Sequence, residues 1–215
     1  MKVLNMLPKI LLTLGAALQI GACSKPNFQW TEDVLLADGN QITVTRARLG
    51  IEAFGGIGDA GGWEAKANVI TFPKEMPNAP SPLSTHFEPM VLNQTAQGQW
   101  FVLAIIQTCD DWAQMGYPKL PYTQYNWVNK AWLQVPLDPA FIGQTANLLV
   151  AIMNKTGEPP HHTLQSKMVR LTERTVSAEY RRIVDKWETS CPKWTVRPSG
   201  SNESIPANPV LEKKQ

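Results

Sequence analysis

The residues of this 215-residue chain with chemistry to offer are its cysteines, an acid pair, a histidine pair, a glycine run and an aromatic cluster. Asp110-Asp111 beside Cys109 is the tightest acidic pair. Shared acid–base work needs two carboxylates facing one reacting group, and neighbouring residues of a strand point to opposite faces. A polar turn is the reading taken. His161-His162 follows Pro160 and reads as an exposed loop; with His86 they make no zinc-ligand spacing, so no metal is assigned. Gly56-Ile57-Gly58-Asp59-Ala60-Gly61 spells G-x-G-x-x-G, which binds a dinucleotide only between a strand and a helix. Here Gly62-Trp63 and a strand-like run at residues 68–72 follow, and no Gly-Lys-Ser/Thr occurs. The run reads as a surface loop. No cofactor, nucleotide or catalytic residue is assigned, since neither a Gly-x-Ser-x-Gly elbow nor an H-E-x-x-H helix is present.

Aromatic rings carry the one binding expectation. Tyr117, Tyr122, Tyr125, Trp127 and Trp132 lie close together in the chain. Exposed and coplanar, such rings stack on sugars or build a protein interface rich in Tyr and Trp. Packed inward, they are a core with its girdle. Three or more exposed coplanar rings would decide for binding.

Cys23 stands elsewhere. Lys2 and Lys9 precede an apolar run at residues 10–22, interrupted only by Thr13 and Gln19, and no acid occurs before Glu32. That is the order of an export signal, and the run falls short of the about 20 apolar residues a spanning helix needs. Its ending, Ile20-Gly21-Ala22-Cys23, resembles the lipobox of bacterial lipoproteins. The resemblance implies cleavage before Cys23, a diacylglyceryl group on its thiol and an acylated amino terminus. Several acyl chains anchor stably where one does so marginally. Ser24 replaces the Asp that favours inner-membrane retention in enterobacterial lipoproteins, which implies the periplasmic face of the outer membrane. The expected divisions are a signal at 1–22, a lipidated tether at 23–29, a β-rich domain at 30–195 and a disordered tail at 196–215.

Loss of Lys2 and Lys9 takes 20 basic residues to 18, equal to the 18 acidic ones. A neutral chain without basic runs is a poor partner for nucleic acid. In an oxidising compartment Cys109 and Cys191 are left as a pair to form a disulfide; two separate buried thiols or a metal pair are the alternatives.

These residues need elements to hold them. Residues 32–49 read as a hairpin about Asp38-Gly39, with Arg46 and Arg48 on one solvated strand face. Five prolines at residues 73–89 mark a crossing segment. Residues 90–107 make a second hairpin about Gln97-Gly98, whose run at 100–106 is apolar enough for burial on both faces. Residues 125–135 make a third about Asn129-Lys130, and 144–153 and 163–171 read as further strands. Ser177 is placed to cap a helix reaching Trp187, with Tyr180, Ile183, Val184 and Trp187 on one face. Gly116-Tyr117-Pro118, Pro121-Tyr122, Tyr125, residues 132–137, Asn147-Leu148-Leu149, Tyr180-Arg181-Arg182 and Cys191 together resemble a family of uncharacterised proteobacterial lipoproteins and secreted proteins. No activity comes with that likeness.

The expected fold is mainly β (α+β): an antiparallel, sandwich-like sheet core with one C-terminal helix. The expected role is a non-enzymatic, membrane-anchored periplasmic module that binds or scaffolds an envelope protein. A peptidoglycan-binding module is the alternative, and a hydrolase with an unrecognised site comes third.

Overall fold

The computed structural model describes residues 28–53, 62–150, 159–172 and 176–191. Two sheets form the body. The first has the order β4-β3-β2-β1-β9, from β1 (Phe28–Leu35), β2 (Gln41–Ala53), β3 (Gly62–Thr71), β4 (Leu83–Thr85) and β9 (His161–His162). All its pairings are antiparallel except β1 with β9. The second is an antiparallel meander of β5 (Glu88–Gln94), β6 (Trp100–Ile105), β7 (Tyr122–Val128) and β8 (Ala131–Pro136). The mainly β, sandwich-like fold is therefore the one observed.

Each expected hairpin forms where its turn chemistry allows. Gly39 takes φ 85, closing β1 on β2 after Leu36. Asn129 and Lys130 both take left-handed φ, 51 and 64, the backbone a two-residue turn needs to match strand twist. That conformation strains a lysine by about 1–2 kcal/mol.

Facing side chains of the two sheets make the main core. Val34, Val44, Ile70 and Phe72 meet Leu92, Trp100, Val102 and Tyr125. The back of the second sheet is also covered: Phe101, Leu103 and Ile105 pack with Ala146, Val150, Leu171 and Ile183. Double coverage is why β6 is buried along its whole length and reads as unbroken apolar sequence.

Three expected elements are corrected. Residues 163–171 are not a strand: α2 (Leu164–Thr172) is a helix opened by Thr163, whose Oγ1 accepts from the Ser166 N–H at 3.2 Å. The helix from Ser177 stops early, as α3 (Ala178–Arg181). Its continuation is drawn into extended pairing, with Ile183 N–H on the Gln144 carbonyl at 2.9 Å and Gly143 N–H on the Ile183 carbonyl at 2.8 Å. Tyr122 Oη donates to the Glu179 carbonyl at 3.0 Å, holding the same segment down. The expected strand over 144–153 is instead a strap along β5, where Asn147 and Leu148 N–H both donate to the Met90 carbonyl; residues 151–153 lie outside the described residues.

Further boundaries shift. β1 begins at Phe28, inside the expected tether. Asp110-Asp111 sits in the first turn of α1 (Cys109–Gln114), capped by Thr108, not in a polar turn. The Cys109–Cys191 disulfide forms, across a sequence separation of 82. Cys23, the glycine run at 56–61 and the tail at 196–215 lie outside the described residues.

Candidate functional site

The largest gathering of charge lies between the sheets. Period-two alternation carries the inner face of the first sheet from Val34 to Glu32 and Trp30, and from Val44 to Arg46 and Arg48. One end of the sandwich is thus apolar and the other ionic. Arg46 and Glu32 are wholly buried and paired at 3.0 Å. Glu32 also accepts from Leu149 N–H at 2.7 Å, Lys167 Nζ at 3.1 Å and Trp30 Nε1 at 3.4 Å. Glu88 of β5 pairs with Arg48, and with Arg46 Nη2 at 3.5 Å. The guanidinium of Arg46 lies over the Trp30 ring, 5.3 Å from its centroid.

Arg46 and Arg48 are therefore not on a solvated face. Period two placed them together correctly, but the face they share is the inner one. His162 is likewise buried, paired through β9 with Glu32 on β1, while His161 stays on the surface 3.5 Å from Asp33.

Chemically, this network is a clasp. Its acids each face cations and its cations are held by acids. Burial holds Lys167 below the ordinary lysine range, against the opposing pull of Glu32. Arg46 Nε and Nη2 and Glu88 Oε1 lack a well-aligned hydrogen bond among the described residues. Their 3.5 Å ion pair is electrostatic rather than directional. Among the described residues no three His, Cys, Asp or Glu side chains converge as metal ligands.

The aromatic cluster divides. Tyr122 and Tyr125 are buried, and Tyr117, Trp127 and Trp132 are half-buried against the main core. Trp132 stacks on Phe72 with centroids 6.3 Å apart and donates Nε1–H to the Ser81 carbonyl at 2.8 Å. Tyr125 Oη is 2.7 Å from Thr85 Oγ1. Burial pushes Tyr122 up to about 12, so its hydroxyl stays protonated and bonded to backbone. These rings fill and rim the sandwich and do not line up as one exposed plane.

A groove of about 730 Å³ opens beside the end of β8. Met115, Pro118 and Leu120 line one side, and Val135, Pro136, Leu137, Pro139 and Ile142 the other. Lys119 and Asp185 are its charged residues. Such a lining offers contact to apolar groups and has no convergent set of catalytic polar side chains. The sequence signal for it is the density of proline and aliphatic residues over 133–142, most of which the hairpin expected at 125–135 leaves unread. A second hollow of about 400 Å³ lies at the hairpin tips, between Ala37-Asp38 and residues 93–98.

No protein-family model, no curated protein and no solved structure matches this chain. Among the described residues no helix is long and apolar enough to cross a membrane.

Proposed function

We propose that the chain is a lipoprotein of the bacterial envelope, anchored through Cys23 on the periplasmic face of the outer membrane, and that it binds an envelope protein rather than turning over a substrate. The observation that carries this reading is Ile20-Gly21-Ala22-Cys23 at the end of a basic-then-apolar leader. With β1 starting at Phe28, five residues beyond Cys23, an extended chain reaches at most about 18 Å from the anchor, which keeps the sandwich close to the bilayer. The apolar groove beside β8 supports a binding role, since it suits a short apolar segment of a partner. The peptidoglycan alternative needs exposed, coplanar rings, and the packing of the five aromatics does not favour it.

The test is cross-linking in the native envelope, comparing the wild-type chain with Cys23→Ala. The anchored chain should capture a discrete envelope protein, and Cys23→Ala should leave the membrane fraction and lose that capture. A variant that stays membrane-bound through a high-salt wash would refute the anchor. Recovery of no protein partner by the wild type would refute the binding role.

A further inference from the structure

Every open sheet has two edges, and an edge with free N–H and C=O groups invites another strand. The edges differ in how far they are covered. β4 has 3 residues and β9 has 2, and each lies against only part of its neighbour, Asn68–Ile70 of β3 and Thr31–Glu32 of β1. β5 is covered by the 144–150 strap: Asn147 Oδ1 accepts from Leu92 N–H at 2.9 Å and its Nδ2 donates to the Leu92 carbonyl at 2.8 Å. β8 is an edge of the second sheet bare of any strand along its length. Its 6 residues, Ala-Trp-Leu-Gln-Val-Pro, include no charge, and four of the six are exposed. Leu133 is 49% exposed. Charged residues, which usually blunt such an edge, are missing.

The hairpin register says which groups face outward. A two-residue turn makes Val128↔Ala131 a hydrogen-bonded pair, as are Asn126↔Leu133 and Gln124↔Val135 by alternation. Trp132 and Gln134 then turn their N–H and C=O away from β7, and no backbone partner occupies them among the described residues.

We propose that β8 pairs antiparallel with β8 of a second copy, about a twofold axis at Leu133. In that register Trp132 opposes Gln134 of the other copy, so both outward residues of each strand are satisfied. Shifting the axis to Gln134 would set Trp132 against Pro136, which has no N–H to give. Shifting it to Trp132 would set Gln134 against the turn residue Lys130. Proline and turn thus select one register. Self-pairing sets identical residues near each other, and an uncharged strand is what such symmetry tolerates, because like charges directly opposite are unfavourable. A twofold pairing uses the one β8 edge of each copy, so association through it closes at two copies. Pairing ends at Pro136, leaving Leu137, Pro139 and Ile142 of the groove outside it. This pairing does not depend on the Cys23 anchor.

Disulfide trapping of the full chain in intact cells tests it. At the axis Leu133 faces its own copy as a non-hydrogen-bonded pair about 4.5 Å apart at Cα, close enough to bridge. Leu133→Cys should give a covalent dimer, well above both the wild-type background that Cys23 could contribute and the yield from Gln134→Cys. Leu133→Lys, at an exposed site, should keep the fold and weaken dimerisation of the detergent-solubilised chain by about tenfold or more. The proposal is overturned if Leu133→Cys traps no more dimer than the wild type, if Gln134→Cys traps more than Leu133→Cys, or if the wild-type chain is monomeric in sedimentation at the highest attainable concentration.

Discussion

Glu32 receives four donors, from Arg46, Lys167, Trp30 and the backbone of Leu149, and so ties the first sheet to α2 and to the strap over β5. Removing it takes from Lys167 its ion-pair partner among the described residues and leaves Arg46 only its 3.5 Å pair with Glu88. Glu32→Ala should therefore cost about 3–5 kcal/mol, read from urea unfolding, far more than an exposed acid would. Lys167 gives a pH signature. Its pKa is lowered in the folded state by burial, so the unfolded chain holds this proton to higher pH. Stability then rises with pH between the lowered value and the ordinary 10.5. Lys167→Met should flatten that rise in unfolding midpoints measured from neutral pH into the lysine range; an unchanged slope would sink the assignment. The two-residue spacing of Arg46 and Arg48 was legible in the sequence, but their direction was not. The clue was available in the hairpin: a turn at Asp38-Gly39 places Glu32 opposite Val44, two residues from Arg46 on the same face. Glu88 and Lys167 were out of reach, because only tertiary packing brings β5 and α2 to that face.

At the scale of elements, local chemistry and tertiary contact divide the outcome. Hairpins about Gly39, Gly98 and Asn129-Lys130 are set by residues next to one another, and all three form as expected. The C-terminal helix depended on a 3.6-residue apolar period from Tyr180 to Trp187. There the backbone of residues 143–146 and the Tyr122 hydroxyl claim groups that a helix would have bonded internally. Ile183 is buried all the same, in extended chain rather than in a helix. Residues 163–171 differ for the opposite reason: Thr163 three residues before Ser166 is a local cap signal, and it favours the helix observed over the strand expected. The disulfide joins the start of α1 to the chain beyond α3, where Trp187 packs on Trp112 with centroids 5.7 Å apart. By loop entropy, closing a separation of 82 residues contributes up to about 4–5 kcal/mol. Reduction, or Cys191→Ser, should lower the thermal midpoint markedly while leaving the two sheets in place; an unchanged midpoint would mean the bond holds nothing.

For the whole molecule, the candidate surface and the address come from different parts of the chain. The groove and the β8 edge are products of the fold, assembled from residues 115–120, 133–142 and 185, and no spacing in the sequence joins them. The proposed anchor is local, resting on residues 2–23 alone. An anchor at the proposed Cys23 would keep the two-sheet body within about 18 Å of a bilayer and so favour encounters with other envelope proteins in the same plane. The proposed envelope location rests on what happens at Cys23. The direct measurement is mass spectrometry of the amino-terminal peptide from chain purified out of envelopes. The peptide should begin at Cys23 and carry diacylglyceryl and amide-linked acyl groups. A chain that keeps residues 1–22, or that begins elsewhere with an unmodified Cys23 thiol, would contradict it.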